Sequence, residues 1–458
     1  MPGILANAIE FPLMRRHHVL APAIALAISA ATFAVHAADW PQWRGPGASG
    51  IAPDATLPTK WSATENVAWK ASIGGAGVST PIISGDRVFV TSQIGAGVRR
   101  EGNHPRLVQG SDAAAQGERA LDAQRAGVDP SKTFFVVEAF DRATGKRAWE
   151  RRIEAVGDLT PVHDKHNLAT PSPVTDGTLL YAWFGTGQVA ALDRSGAIVW
   201  ERHLAKENGA FDIQWGHGSS PVLYGDLLIL LCDQPAKSYV LAVDKKTGKD
   251  RWKADRGQGR ASYSTPLVVE GPSGSELIVN STERLDAYNA KTGEFLWHAD
   301  GTSRFAVPSP VVHDGVIYVS RGYRSGPYMA IKAGGRGDVT SQMVWRIATG
   351  APYVSSLLHY DRIVYMANDV GVLTAVDAAS GERVWQERVD GVFSASPVAG
   401  GGHVYFLSEN GDTVVVKAGR QPQVVARNAI GERAVASPAI SSGRIFIRTD
   451  QHVFAIGK

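Results

Sequence analysis

The stretch AVDKKTGKDRW, residues 242–252, has the pattern of two short strands joined by a tight turn. Aliphatic residues lead to Asp244, the pair Thr247-Gly248 follows, and Trp252 ends the second strand. Asp and Gly favour such turns because Asp accepts hydrogen bonds from the backbone just ahead of it and Gly tolerates a positive φ. A single copy would say little about the fold, but a repeated copy defines it.

The same pattern recurs along the chain, with the spacing of a repeat architecture. Three further copies have the same length, one is shorter, one is longer and one lacks tryptophan: AFDRATGKRAW (139–149), AYNAKTGEFLW (287–297), AVDAASGERVW (375–385), ALDRSGAIVW (191–200), KAGGRGDVTSQMVW (332–345) and VVVKAGRQPQVVA (414–426). A second motif alternates with it and consists of a small residue, a proline and aliphatic residues, as in STPII (79–83) and SASPV (394–398). VSSLL (354–358) fills one slot with Leu357 where proline is expected.

Each repeat of roughly 40–50 residues predicts four short antiparallel strands, which is the period of a β-propeller blade. Counting the proline motifs predicts an all-β fold, an eight-bladed β-propeller of four-stranded antiparallel blades. The last repeat supplies three strands, and ENVAWKASI (65–73) is a spare strand ahead of the first blade. We therefore predict that residues 65–73 complete blade eight and close the ring, which removes an open sheet edge.

Composition excludes several function classes. The net charge is +3 and no run of five like charges occurs, so nothing indicates a nucleic acid or an anionic membrane as partner. Cys232 is the only cysteine of 458 residues, which excludes intramolecular disulfides, CxxC zinc sites and CxxCH haem attachment. Because it lies in the apolar run LLILLCDQ, we predict an inert core thiol.

The N-terminus has the features of a secretory signal peptide, predicted over residues 1–38. MRRHH (14–18) is positively charged, VLAPAIALAISAATFAV (19–35) is apolar, and small residues allow cleavage after Ala37 or Ala38. No lipobox cysteine follows, so we expect a periplasmic or secreted protein without a membrane span after cleavage. Residues 39–64 are expected to pack on the propeller (65–458) as an extension, and an insertion at about 94–132 is expected in blade one.

The A-x-D-x-x-x-G-x-x-x-W repeats and S-x-P strand openings resemble the PQQ-like (pyrroloquinoline-quinone-like) β-propeller family across essentially the whole mature chain. DWPQWRGP (39–46), IQWGHGSSP (213–221) and SYSTPL (262–267) are similar to a secreted or periplasmic group of that family. More distant similarity is to quinoprotein alcohol dehydrogenases and to the propeller lipoprotein of the outer-membrane β-barrel assembly machine. The resemblance implies tryptophans wedged between adjacent blades, namely Trp69, Trp149, Trp200, Trp252, Trp297, Trp345 and Trp385. It does not imply a bound quinone.

The links between blades carry unusual polar and aromatic residues and should surround the mouth of the central channel. The candidate ligand contacts on these links are His163, His166, Asn167, Gln214, Trp215, His217, Arg260, Tyr263, Arg304, Phe305 and Tyr353. The two arginines with the aromatic residues suit an anionic or planar ligand. The HxxH spacing without a helix or a third ligand does not predict a metal site. Alternatively, these residues hydrogen-bond loop backbone and brace the channel wall.

These observations favour a non-catalytic binding or scaffold propeller of the cell envelope, monomeric and without a cofactor. Its partner would be a protein, peptide or glycan bound at the face that carries the links. The alternative is a quinoprotein-type oxidoreductase that binds PQQ and calcium. One cysteine cannot form the vicinal disulfide typical of such dehydrogenases, and their catalytic Asp and calcium ligands find no counterpart in the motifs. No paired carboxylates and no nucleophile–base pair indicate a hydrolase or lyase. The sequence leaves open whether any catalysis occurs.

Overall fold

The computed structural model of the chain describes residues 39–52, 56–95, 97, 99–100, 130–271, 274–301, 305–322 and 326–458. The predicted signal peptide lies outside the described residues, as does most of the predicted insertion. Among the described residues, no helix is both long enough and apolar enough to cross a membrane.

Eight small antiparallel sheets are arranged in a ring, which confirms the predicted all-β, eight-bladed propeller. Strands are numbered in chain order. Blades one to four contain β3 (Ile82–Ser84), β4 (Arg87–Ile94), β6 (Phe134–Asp141), β7 (Arg147–Glu154); β9 (Val174–Thr175), β10 (Leu179–Trp183), β11 (Gln188–Asp193), β12 (Ile198–His203); β13 (Val222–Tyr224), β14 (Leu227–Cys232), β15 (Ser238–Asp244), β16 (Asp250–Gly257); and β17 (Leu267–Gly271), β18 (Gly274–Asn280), β19 (Arg284–Asn289), β20 (Phe295–Asp300).

Blades five to seven follow the same order, and blade eight takes its last strand from the N-terminal part of the chain. They contain β21 (Val311–His313), β22 (Val316–Ser320), β23 (Tyr328–Lys332), β25 (Met343–Ile347); β26 (Leu358–Tyr360), β27 (Ile363–Ala367), β28 (Val372–Asp377), β29 (Arg383–Arg388); β30 (Val398–Gly400), β31 (His403–Leu407), β32 (Asp412–Lys417), β33 (Gln423–Ala429); and β34 (Ala439–Ser441), β35 (Arg444–Arg448), β36 (His452–Ile456), β2 (Val67–Ser72).

Three short additions pair in parallel. β1 (Ile51–Ala52) lies on β30, β24 (Gly337–Asp338) lies on β20, and β5 (Arg99–Arg100) pairs with β8 (Val162–His163). The described helical turns are α1 (Leu204–Asn208) and three 3-10 turns at Pro46–Ala48, Pro130–Lys132 and Thr340–Gln342.

The stretch 242–252 joins β15 to β16 of blade three, as its turn chemistry predicts. Asp244 Oδ1 accepts hydrogen bonds from the backbone N–H groups of Lys246 and Thr247 at 3.1 and 3.0 Å, which shapes the turn. Gly248 has a φ of 70°, and a Cβ there would lie 2.8 Å from the ring of Trp200 in blade two. The repeated glycine therefore serves both the turn and the contact between blades.

The repeated tryptophans join each blade to the next one. In five of them the indole Nε1 donates to a backbone carbonyl of the following blade's turn: Trp69 to Arg142 (2.9 Å), Trp149 to Arg194 (2.8 Å), Trp200 to Lys245 (2.9 Å), Trp345 to Ala378 (2.9 Å) and Trp385 to Gly419 (3.0 Å). Trp297 instead donates to Glu276 of its own blade at 3.0 Å. Trp252 packs its ring on Gly293 without such a bond among the described residues.

The ring closes where the sequence predicts, because β2 pairs antiparallel with β36. Arg448 of β35 strengthens this closure from the inside and is only 1% exposed. Its guanidinium donates to the carbonyl of Thr91 at 2.6 Å and to the hydroxyl of Ser92 at 2.9 Å, both in blade one. Burial lowers the pKa of Arg448 to about 10. Blades eight and one are thus joined by a strand and by a buried cation.

Residues 39–52, here called the crossing segment, run through the central channel. The segment contacts the innermost strands, or the residues just before them, of blades one, two, six and seven: Trp40 pairs with Ile83, the Pro41 carbonyl accepts from Thr175 N–H (2.9 Å), Arg44 Nη2 donates to the Leu357 carbonyl (2.9 Å), and the Gly50 carbonyl accepts from Ala399 N–H (2.9 Å). Because innermost strands line the channel of a propeller, the crossing segment spans the channel from one side to the other.

Candidate binding site at the channel mouth

The Ser or Thr at the opening of each blade's first strand belongs to one ring of hydrogen bonds, here called the Ser/Thr belt. In seven steps around the ring, a backbone N–H donates to the hydroxyl oxygen of the next blade: Thr80 to Ser172 (2.9 Å), Ser172 to Ser220 (3.0 Å), Ser220 to Thr265 (3.0 Å), Thr265 to Ser309 (2.8 Å), Ser309 to Ser356 (2.9 Å), Ser356 to Ser396 (2.9 Å) and Ser396 to Ser437 (2.9 Å). The Thr80 hydroxyl completes the circle by donating to the Ser437 carbonyl at 3.1 Å.

A cavity of about 210 Å³ occupies the channel on the side of the links. Every one of the eight links contributes to its wall, and all belt residues except Thr80 lie at its waist. The aromatic lining consists of His163, His166, Trp215, Tyr263, Phe305, Tyr353 and Trp43. Trp43 belongs to the crossing segment, which passes through the channel, so its ring forms the floor. The site is therefore a recess, open toward the links and closed at the crossing segment.

The two histidines of HDKH line this recess and are also held by their own loops. His166 Nε2 lies 2.7 Å from the carbonyl of Trp215, and its Nδ1 lies 3.1 Å from the hydroxyl of Thr170. His163 Nδ1 lies 2.7 Å from a carboxylate oxygen of Asp164. Both nitrogens of His166 are thus engaged, which fixes the ring as part of the wall.

An ion pair joins two distant blades at the rim of the recess. Lys165, on the link between blades one and two, places its Nζ 2.6 Å from Glu409 Oε1 of blade seven. Ser394 also donates to Glu409. Nearby, Asp369 accepts the backbone N–H of Tyr353 at 3.0 Å, and burial raises the pKa of its carboxyl to about 6. The rim therefore combines one lysine with two acids, one of which titrates close to neutral pH.

Three other candidates among the described residues do not line the recess, namely Asn167, Gln214 and His217. Asn167 is 5% exposed and donates to the carbonyl of Ala76 at 2.7 Å, so it fixes loop backbone. Gln214 is exposed beside Trp215 and does not line the cavity. His217 is 1% exposed and packs its ring 4.1 Å from that of Trp183, so it belongs to the core. Arg304 lies outside the described residues.

Arg260 belongs to a buried charge cluster rather than to the recess. Its Nη1 lies 3.3 Å from Asp286, a carboxylate that is also 3.0 Å from Arg256. Arg256 in turn pairs with Asp233 at 2.6 Å, and the side chains of Arg256, Asp233 and Asp286 are fully buried. Coulombic attraction to these acids raises the pKa of Arg256 against the effect of its burial. The cluster joins blades three and four, and Arg260 contributes to that contact.

Sequence reasoning missed Trp43, Arg44 and the role of the belt. The N-terminal DWPQWRGP was used only as a mark of resemblance, although its two tryptophans and one arginine precede the first blade and lack the repeat's spacing. The hydroxyl residue before each proline was visible in every repeat. Its local pattern indicates only a strand opening, because the hydrogen bond to the next blade depends on how the ring assembles.

Among the described residues, no group of three or more His, Cys, Asp or Glu side chains could hold a metal ion. Burial raises the pKa of the Cys232 thiol, in line with an unreactive core position. Aromatic rings and hydroxyl groups line the recess instead, and such surfaces recognise ligands by stacking and directional hydrogen bonds.

Fold and repeat together define the class, an eight-bladed propeller of PQQ-like repeats. A family model described as "Outer membrane protein assembly factor BamB" (PQQ_2) matches residues 133–341 and 337–457. Since these matches cover well over half of the chain, the chain belongs to this family.

Individual relatives are distant. BamB of Yersinia pestis is 26% identical over 233 residues, 46% of this chain and 56% of that protein. Tetrathionate hydrolase of Acidianus ambivalens is 27% identical over 159 residues, 29% of this chain and 30% of that protein. The chain thus spans about half or less of the length of these relatives. Quinohemoprotein alcohol dehydrogenase ADHIIG of Pseudomonas putida HK5 has a TM-score of 0.62 at 12% identity, covering 92% of this chain and 81% of that one, and shows a shared fold alone.

Proposed function

We propose that this chain is an exported, non-catalytic binding propeller of the cell envelope. A protein, peptide or glycan partner would bind at the face that carries the links. The observation that carries the proposal is the recess itself, which is walled by all eight links and floored by Trp43. Membership of the BamB family supports a scaffold role in the envelope.

The surface around the recess also suits a macromolecular partner. Val370 is 46% exposed and Val392 is 40% exposed. Val392 lies beside the rim, since its carbonyl accepts the backbone N–H of Glu409 at 2.8 Å. Val370 follows Asp369 in the strand turn of blade six. Exposed apolar side chains beside an aromatic recess, with charged groups at its border, suit contact with a protein partner.

The quinoprotein alternative requires a calcium site beside the quinone. Calcium takes six to eight oxygen ligands, commonly with several carboxylates. The recess walls contribute hydroxyl, imidazole and aromatic groups, and both acids of the rim are already held, by Lys165 and by the N–H of Tyr353. These described side chains support a binding site without a quinone–calcium pair over the oxidoreductase alternative.

Site-specific photocrosslinking tests the proposal. A photoreactive residue at Gln214, exposed next to the recess wall, should crosslink to a defined envelope component in intact cells. The matched control is Lys246, exposed on the turn of the opposite face, which should not crosslink to that component. Tyr353→Ala should weaken the Gln214 crosslink at least several-fold, because it removes a ring from the recess. Equal crosslinking from both faces would contradict the proposal.

The alternative is tested on the same purified protein. Titration with PQQ and Ca²⁺, followed by quinone absorbance and by thermal shift, should give no saturable calcium-dependent response. Stoichiometric, calcium-dependent binding would favour the oxidoreductase instead.

A further inference from the structure

The Ser/Thr belt leaves a set of hydroxyl protons at the waist of the recess. Six of its hydroxyl oxygens each accept a backbone N–H of the preceding blade, while none of the six O–H groups donates to an acceptor among the described residues: Ser172, Ser220, Thr265, Ser356, Ser396 and Ser437. All six residues line the recess and are at most 9% exposed. Each of these hydroxyls retains its proton and one free lone pair, so the waist can offer up to six O–H donors to a ligand.

Arg44 adds a positive charge directly behind the floor. Its guanidinium carbon lies 5.7 Å from the centroid of the Trp43 ring, which faces the recess. The side chain is 1% exposed, and its Nη2 donates to the carbonyl of Leu357, the neighbour of belt residue Ser356. No acidic group forms an ion pair with it in the described part of the chain, and its Nη1 has no hydrogen-bond partner there. A buried cation without a counter-ion favours an anion nearby.

We propose that the waist of the recess binds a single carboxylate or a similar oxyanion, held by the O–H groups of the belt near the Arg44 charge. The inference rests on the proposed function, because it names the chemical group that this same recess takes. Oxyanions accept several hydrogen bonds at once, and bonds from donors to a charged acceptor are about twice as strong as neutral ones. Burial lowers the pKa of Arg44 to about 9, as expected for a desolvated cation that lacks an anionic partner.

The charges along the channel orient the ligand. Asp369 and Glu409 lie at the rim, and Glu409 is neutralised by Lys165. The cationic end of the channel is therefore the floor, and a ligand enters with its carboxylate first. The rest of the ligand then contacts the rings of Tyr263, Phe305 and Tyr353. Two sources share this chemistry, the terminal or side-chain carboxylate of a partner and a free small carboxylic acid.

Matched acids and amides test the inference on the unmodified mature protein. Benzoate is compared with benzamide, and a short peptide ending in Phe with a free carboxylate is compared with its amidated form, each by calorimetry and thermal shift. We expect each acid to bind at least about tenfold more tightly than its amide, because a charge-assisted contact is lost in the amide. A preference shown by the peptide alone identifies a partner's carboxylate, and one shown by benzoate as well identifies free acids. The inference would be overturned if each acid and its amide bind equally tightly, or if neither binds.

Two substitutions connect binding to the proposed atoms. Ser396→Ala removes one belt hydroxyl, whereas Ser396→Thr keeps it, and Thr already occupies the equivalent position at residue 265. We expect the Ala variant to lose several-fold in affinity for the acid and the Thr variant to retain it. Arg44→Gln should reduce the acid's advantage over the amide without abolishing amide binding. Unchanged affinity in folded Ser396→Ala and Arg44→Gln proteins would overturn the assignment.

The experiments distinguish a failure of the proposed binding function from a failure of the carboxylate inference. If crosslinking at Gln214 depends on Tyr353 but the acids bind no better than the amides, the binding function stands and the carboxylate inference falls. If acids bind selectively but no envelope component crosslinks, the recess serves a small ligand and the proposed scaffold function falls. PQQ, itself a tricarboxylate, belongs among the acids tested without calcium. If its binding is calcium-independent and sensitive to Ser396→Ala, it supports the carboxylate site rather than a quinone enzyme.

Discussion

Gly248 illustrates at the level of one residue why the repeat is strict. Its φ of 70° lies in the left-handed region, and the ring of Trp200 occupies the space that a Cβ would need. Gly315 has a similar φ of 72° but nothing within 4 Å of a Cβ. Comparing substitutions at Gly248 and Gly315 therefore distinguishes the cost of backbone strain from the cost of disturbing the contact between blades.

We expect Gly248→Ala to destabilise the protein more than Gly315→Ala. The control should cost about 1 kcal/mol, the penalty for placing a non-glycine residue at positive φ. The Gly248 substitution should cost roughly 1–3 kcal/mol more, since the Trp200 ring must shift. Midpoints of urea unfolding for the two variants measure the difference, and equal midpoints would show that the contact with Trp200 contributes nothing.

Two buried histidines predict how stability depends on pH. Burial lowers the pKa of His217 to about 3 and that of His359 to about 4, whereas both titrate near 6.5 when unfolded. Between pH 6.5 and 4 the unfolded chain therefore binds protons that the folded chain does not, and stability falls as the pH falls. Asp369 acts in the opposite direction, since its pKa is raised to about 6.

The contribution of one histidine is isolated by comparison with His217→Leu. The fall in the urea midpoint between pH 7.5 and pH 5 should be smaller in this variant than in the unmodified protein, by the equivalent of about 1–2 kcal/mol. If the urea midpoint falls with pH equally in the variant and in the unmodified protein, His217 is protonated or exposed in the folded protein.

At the level of elements, substitution of the two arginines of β35 tests how the ring is closed. Arg448 is buried and donates to blade one from inside, while Arg444 at the other end of the strand is partly exposed and reaches blade one only at 3.3 Å, at the carbonyls of Arg142 and Ala143. Arg448→Met should destabilise the protein by roughly 2–4 kcal/mol, because it removes several buried hydrogen bonds and leaves the Ser92 hydroxyl oxygen without its donor. Arg444→Met is the matched control and should cost under about 1 kcal/mol. Thermal and chemical denaturation of both variants measure the contrast, and the reverse order would contradict the role assigned to Arg448.

The elements were predictable from the sequence because their signals are local. The Asp and Gly of each turn bond and pack within a few residues or onto the next repeat, so every blade shows its own pattern. The closing strand was also predictable, since three strands in the last repeat require a fourth. The links were not predictable in detail. His166 and His217 lie in equally polar stretches, yet one lines the recess and the other packs against Trp183. Their difference arises from the ring geometry, which no single link encodes.

At the scale of the whole molecule, the N-terminal residues have two separate roles. β2 closes the ring, and the crossing segment forms the floor of the recess. Deletion of residues 39–52 should therefore leave the ring closed but lower the melting temperature. Hydrogen exchange should accelerate at the amides of Thr175 and Ala399, which donate to Pro41 and Gly50 of the segment. The amides of β36, which pair with β2, should keep their protection. Loss of protection in β36 would show that the two roles cannot be separated.

The pairing of β2 with β36 also determines the order in which the molecule can form. Ser72 pairs with His452, so one of the earliest strands to be synthesised waits for the last one. Blades one to seven complete themselves from neighbouring residues, and such short-range contacts form quickly, whereas contacts distant in sequence form slowly. We therefore expect ring closure to be the slow final step. Until it occurs, the backbone N–H and C=O groups of β2 are unpaired and can bind other chains. A cell that makes this protein must keep that strand from other chains for as long as the last blade is missing.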